Sequence, residues 1–360
     1  MLAKLSVDQA LTKARSHAKK GEVAEAQRLY QSVLQVFAKN QRAQQGLAAL
    51  NKPKSNIVTQ GMIQEAIDQL SGLYNQGEFS VVVEQAEALT KQYPDVFILW
   101  NILGASATQL GVLDKAINSF KKALLLKPDS ADAYSNMGFA LKEQGKLDEA
   151  VKACKKALSL KPDYANAYYN LGNALKEQCK IDEPVEAYKR AISLKPDYAD
   201  AYSNLGIALK DQGKLNEAID AYNKALSLKP NNIEAHINLG FALLNSGKLK
   251  KGLDENEWRW KSVEGLKQMR HFSQPLWDGK KSLNGKRILL WAEQGIADVL
   301  HWSSCLPFLS SQAEHCILEC HKKLIPLLER SFPNVEVKAI NRSIDLERDD
   351  FDFHLPMGSL

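Results

Sequence analysis

The chain has 360 residues, 45% hydrophobic and 25% charged, with a formal net charge of +5. That composition supplies a long apolar core and excludes a membrane-embedded protein, since no run approaches the ~20 apolar residues that span a bilayer. The N-terminus, MLAKLSVDQALTKARSHAKKGEVAEA, is broken by charges throughout and lacks the apolar stretch of a secretory signal, so a cytoplasmic protein is expected.

Residues 1–50 read as degenerate repeat-like helices. Leu11 to Lys39 gives helix, turn at Lys20-Gly21 and helix, and Arg42 to Leu50 adds a further helical stretch. Pro53 and the polar residues of NKPKSNIVT mark 51–62 as a linker. A divergent two-helix unit follows, with Gly77 at its turn and Pro94 at its end.

The pattern then becomes strict. Gly104, Gly138, Gly172, Gly206 and Gly240 stand 34 residues apart. An aromatic residue or histidine precedes each, at Trp100, Tyr134, Tyr168, Tyr202 and His236, and the three tyrosines are expected to pack within their own units. A large apolar residue stands directly before each glycine, at Leu103, Met137, Leu171, Leu205 and Leu239. Ala116, Ala150 and Ala218 mark close packing of a second helix on the first, and Pro128, Pro162, Pro196 and Pro230 end each unit because proline cannot continue a helix. This period of two amphipathic helices resembles the tetratricopeptide repeat (TPR) family. The resemblance implies a mostly α protein, a right-handed superhelical solenoid over 63–262 of about six repeats. The last repeat decays into LDENEWRWK, as a terminal repeat that covers the core does.

One repeat, 165–198, departs twice. Cys179 occupies a turn position held by Gly111, Gly145, Gly213 and Gly247, where left-handed backbone costs a non-glycine residue about 1 kcal/mol. Pro184 replaces the packing alanine and is tolerated if Asp182 caps the helix, since the first turn has no use for its N–H. This repeat is expected to be the softest joint.

Asn136, Asn170, Asn204 and Asn238 recur two residues before successive repeat glycines. An amide both donates and accepts, so such a column suits the backbone of an extended polypeptide. It resembles the asparagine ladder of the protein O-linked N-acetylglucosamine transferases, although asparagine is frequent at this position in TPRs generally. The partner implied is a protein or peptide. Lys127, Lys161, Lys195 and Lys229 precede the repeat prolines one per unit, a solvated edge and no nucleic-acid groove.

After Lys261 the period stops. Residues 263–285 form a connector, and 286–360 alternate strand and helix: RILLW (Arg287–Trp291) as a buried strand, AEQGIAD as a loop, Val299–Leu309 as a helix, Cys316–Glu319 as a strand, Lys322–Ser331 as a helix, Val335–Ala339 as a strand and a fourth strand within FDFHLPMGSL. This is Rossmann-like grammar. The five cysteines lack paired spacing and read as reduced thiols. His315, Cys316, Cys320 and His321 lie along one strand, which sends neighbours to opposite faces, so neither metal nor cofactor is expected.

From Glu257 to Leu360 the chain resembles bacterial TPR proteins fused to a glycosyltransferase domain. The motifs are Glu257-Trp258-Arg259-Trp260, Pro275-Leu276-Trp277-Asp278-Gly279, Ala292-Glu293-Gln294-Gly295-Ile296-Ala297-Asp298 and FDFHLPMGSL. The resemblance extends distantly to the lipopolysaccharide heptosyltransferases and implies the first half of a GT-B fold. It maps a general base onto Asp298, with Glu293, Gln294 and Gly295 shaping an acceptor pocket. An aspartate past the first strand of an open sheet stands where ligands bind. The other reading of Asp298 is a cap on the helix near Val299. Ala297 departs from the family, which has glycine there. The nucleotide sugar belongs to a second Rossmann unit, expected beyond this sequence, so catalysis by the chain alone is not expected. Trp258, Trp260 and Trp277 are expected to form the seam between repeats and sheet. Two function classes stand: a TPR-targeted glycosyltransferase, and a non-enzymatic TPR adaptor.

Overall fold

The computed structural model describes residues 6–359 apart from 21, 51–54, 294 and 342–346, and the side chains of 55–60 are likewise not described. It comprises two compact units, 1–140 and 141–360.

The first unit opens with α1 (Val7–Lys19), α2 (Val23–Val36) and α3 (Gln41–Leu50). Ser6 and Gln9 start α1 with a reciprocal capping box, Gln9 N to Ser6 Oγ at 3.3 Å and Ser6 N to Gln9 Oε1 at 3.0 Å. Leu11, Ala14, Tyr30, Val33 and Ala43 form the core of this bundle. The helix α4 (Ser55–Asn75) follows, which corrects the expected linker: its residues 55–62 are helical, and 51–54 lie outside the described residues. Then come α5 (Phe79–Gln92), α6 (Phe97–Gln109), α7 (Leu113–Leu126) and α8 (Ala131–Glu143), within which the division between the units falls.

The repeat glycines have a concrete cause. A Cβ on Gly104 would lie 2.7 Å from the ring of Phe120, sixteen residues on in the second helix. The same geometry recurs in the second unit at Gly172 under Tyr188 and Gly206 under Tyr222, both at 2.6 Å. In the repeat between them Cys154 stands at the ring's sequence position, and burial pushes its thiol up to about 12. The turn glycines all have positive φ, and Cys179 shares it at 58°.

The second unit continues with α9 (Leu147–Leu160), α10 (Ala165–Glu177), α11 (Glu183–Leu194), α12 (Ala199–Asp211), α13 (Leu215–Leu228), α14 (Ile233–Asn245) and α15 (Leu249–Asn256). Asp182 holds the N-cap position of α11 with Pro184 in the first turn, but its side chain caps nothing. Instead its Oδ1 accepts from Gln212 Nε2 at 3.0 Å, and Asp148 accepts from Gln178 in the same way at 2.8 Å. These glutamine–aspartate bonds stitch one repeat to the next. The lysine edge is likewise engaged: Lys161 and Lys195 lie 4.9 and 4.8 Å over the rings of Tyr164 and Tyr198, and Lys229 pairs with Asp200 at 2.9 Å.

Beyond α15 a short 3₁₀ turn (Glu257–Lys261) leads to α16 (Val263–Gln268) and then to β1 (Arg287–Trp291), α17 (Ile296–Trp302), α18 (Leu306–Gln312), β2 (His315–Cys320), α19 (Ile325–Ser331), β3 (Glu336–Ala339) and β4 (Phe353–Pro356). The strands form one parallel sheet in the order β3-β2-β1-β4. Leu289 of β1 is in register with Ile317 of β2 and His354 of β4. One face buries Ile288, Leu290, Leu318 and Val337 with Val299, Leu306, Leu309 and Leu328 of the helices. The other buries Leu289, Trp291, Ile317 and Phe351 beneath Trp260 and Phe272. The outer edge of β4 is met by the WDG segment, Trp277 N donating to His354 O at 2.9 Å. Glu319 of β2 is buried between Arg270, at 2.5 Å, and Arg348. No helix of the described residues is long and apolar enough to cross a membrane.

Candidate functional site

The four asparagines lie half-buried on the first helices, Asn136 on α8, Asn170 on α10, Asn204 on α12 and Asn238 on α14. They are not equivalent. Asn204 Nδ2 donates to Asn173 Oδ1 at 2.9 Å and to Tyr169 Oη at 3.2 Å. Tyr188 Oη donates to the same Asn173 oxygen at 2.7 Å, and burial holds that phenol well above its usual range, fixing it as a donor. Asn204 therefore gives its N–H groups to the stack and keeps only its carbonyl oxygen for a ligand. Asn136 and Asn238 make no side-chain hydrogen bond among the described residues. The partner Asn173 went unnoticed in the sequence, yet a signal exists: it interrupts a column that is otherwise Phe139, Ile207 and Phe241.

At the sheet, α17 begins at Ile296, with Gly295 at its N-cap and no side-chain cap. Asp298 is thus inside the first turn and does not cap the helix, contrary to the capping reading. It is half-buried, and a Cβ on the exposed Gly295 would stand 3.6 Å from Asp298 Oδ2. Gln294 lies outside the described residues.

Glu293 departs from the expected open acceptor pocket. Its side chain is 3% exposed and both its oxygens accept from Arg259 Nη2, at 3.1 and 3.3 Å. Burial raises its pKa, while Arg259 and the backbone N–H of Gly358 pull it back. Ser359 completes the cluster: it accepts from Arg259 at 3.0 Å and Trp260 Nε1 at 3.3 Å and donates to Glu257 at 2.9 Å. A Cβ on Gly358 would fall 2.0 Å from Glu293 Oε1, so any larger residue there displaces the carboxylate. The EWRW, AEQG and MGS segments therefore converge on one latch. Glu293 and Asp298 share a cleft too narrow to admit even a water-sized molecule, so it is no ligand pocket as it stands. A wider cavity of about 520 Å³ opens beside the latch, walled by Leu276, Trp277, Phe308 and Leu355 with Glu257 and Ser359 at its polar end.

The tryptophans divide the seam between them. Trp258 stacks on His236 of α14 at 3.7 Å, and two residues later Trp260 packs on Trp291 of β1 at 5.7 Å. Trp277 joins the helix-covered face of the sheet.

Comparison with known proteins bears on the repeats. The family model described as TPR repeat matches residues 104–145, 140–178, 180–213 and 208–247. Among solved structures, MamA is 29% identical over 46% of this chain and 98% of its own, with a TM-score of 0.41. YrrB, described as a TPR protein with an unusual peptide-binding site, is 21% identical over 50% and 92%, with a TM-score of 0.41. Pseudomonas aeruginosa pilF is 15% identical over 57% and 95%, with a TM-score of 0.50. No curated protein matches.

Proposed function

We propose that this chain, a TPR repeat protein, holds an extended polypeptide through the asparagines of its first helices and so serves as a protein-binding module. The observation that carries this reading is the recurrence of half-buried amides 34 residues apart, with Asn136 and Asn238 unengaged and Asn204 keeping a carbonyl oxygen in reserve. A neutral hydrogen bond contributes only about 1 kcal/mol net, so affinity is modest and spread over several repeats. The test is calorimetric titration of a neutral, unstructured Ser/Thr/Ala peptide. The Asn136→Ala/Asn238→Ala variant loses affinity at an unchanged melting temperature. Equal affinity in that variant refutes the reading.

A second reading concerns the sheet. The resemblance of its motifs to TPR–glycosyltransferase fusions, with Asp298 just past the carboxyl end of β1, supports an acceptor-side role in glycosyl transfer, Asp298 taking the acceptor proton as general base. Donor binding falls to a second Rossmann unit in that scheme. Asp298→Asn then abolishes transfer to the acceptor, and transfer at the parental rate in that variant refutes the role. Peptide binding that persists without any acceptor-side role leaves the adaptor reading.

A further inference from the structure

The first unit contains a groove lined by residues that differ from those of its sister repeats. It opens between α5 and α7, is floored by Trp100 and Leu103 of α6, and encloses about 480 Å³. The repeat register explains why it exists. Thr90 of α5 stands where later repeats carry Leu124, Leu158, Ile192 and Leu226, and Ser119 of α7 stands where they carry Ala153, Ala187 and Ala221. Both hydroxyls are bonded within their own helices, Thr90 to Glu87 O at 3.0 Å and Ser119 to Lys115 O at 2.8 Å, so neither fills the space. At the bottom lies the half-buried indole of Trp100, with its Nε1 fixed on Pro94 O at 2.7 Å.

Two of the rim lysines are particular to this groove, while Lys122 recurs as Lys156, Arg190 and Lys224, and Glu87 stands where later repeats carry Lys121, Lys155 and Lys189. Lys115 replaces Glu149, Glu183 and Glu217 of the later units, and Lys91 replaces Leu125, Ser159, Ser193 and Ser227. Lys115 pairs with Glu87 across the groove, whereas Lys91 and Lys122 have no ion-pair partner among the described residues. The rim thus carries two uncompensated positive charges around an apolar floor.

We propose that this groove docks an acidic segment of a partner protein, an apolar side chain entering against Trp100 while flanking carboxylates meet Lys91 and Lys122. Charge complementarity selects this occupant. A nucleic acid fits worse, because the basic site is one groove and no continuous track. The site is separate from the asparagines of the proposed peptide-binding face.

The test uses the full chain and a fluorescein-labelled peptide of Glu residues interspersed with Phe, read by fluorescence anisotropy. The Lys91→Glu/Lys122→Glu variant binds at least tenfold more weakly. So does Thr90→Leu/Ser119→Ala, which installs the sister repeats' own residues and melts no lower than the parent. Raising the salt weakens binding, since exposed charges are screened. The proposal is overturned if the lysine variant binds as tightly as the parent. It is equally overturned if a peptide with Lys in place of Glu binds as well, or if single-stranded DNA binds more tightly than the peptide and displaces it.

Discussion

Cys179 holds a left-handed backbone, φ 58°, at a turn where Gly111, Gly145, Gly213 and Gly247 carry φ of 73–78°. Exchanging it for glycine removes the Cβ from a strained conformation, so Cys179→Gly is expected to stabilise the protein by about 1 kcal/mol in urea unfolding. No gain would mean that the turn relaxes around the side chain. The same cysteine is exposed, whereas Cys154 and Cys316 are buried with thiols pushed up to about 12 and Cys320 to about 11. A thiol-specific reagent at pH 8 therefore labels Cys179 well before these three. Their folded pKa values lie above the unfolded 9.0, so their stabilisation is full below pH 9 and is lost as pH rises from about 9 to about 12. Urea midpoints should fall across that window, and less steeply in Cys154→Val. The strained turn was legible because four siblings print glycine in register. The roles of Asp182 and Asp298 were not: Asp182 holds its N-cap position but accepts from Gln212 of the next repeat, and α17 starts at Ile296, ahead of Val299.

Within the repeats, the pairing of glycine in one helix with an aromatic ring in the next fixes how closely the two approach. Gly206→Ala would put a methyl 2.6 Å from the ring of Tyr222, an overpacking that costs roughly 1–3 kcal/mol. Tyr222→Cys, the residue Cys154 supplies in register, should recover part of that loss in the double variant. Strict additivity of the two changes in denaturant unfolding would contradict the contact. Helices α5 to α14 were readable from the period, since glycine, proline and apolar positions all repeat. The start of α4 was hidden by Pro53 and its polar neighbours, and the groove over Trp100 was hidden because only the comparison of Thr90 with its leucine siblings reveals missing volume.

At the scale of the whole molecule, the C-terminal half depends on contacts no local pattern announces. The motifs EWRW, AEQG and MGS were each visible in the sequence, but Arg259 meets Glu293 and Ser359 across 34 and 100 residues, a pairing that only the folded sheet creates. Arg259→Leu strands a buried carboxylate and should cost about 3–5 kcal/mol, while Arg259→Leu/Glu293→Leu recovers much of it. A double variant that costs the sum of the two singles would remove the latch from the account. The sheet order was legible only as a class, because alternating strand and helix implies parallel strands but does not say that β4 lies beside β1.

The central claim is that polypeptide lies along the asparagine-bearing first helices, and site-specific photo-crosslinking tests it most directly. A benzophenone side chain placed at Asn238, half-buried on α14, should capture the neutral peptide covalently. The same group at Asn223, exposed on the second helix α13, should not. Capture from position 223 and none from 238 would contradict the account.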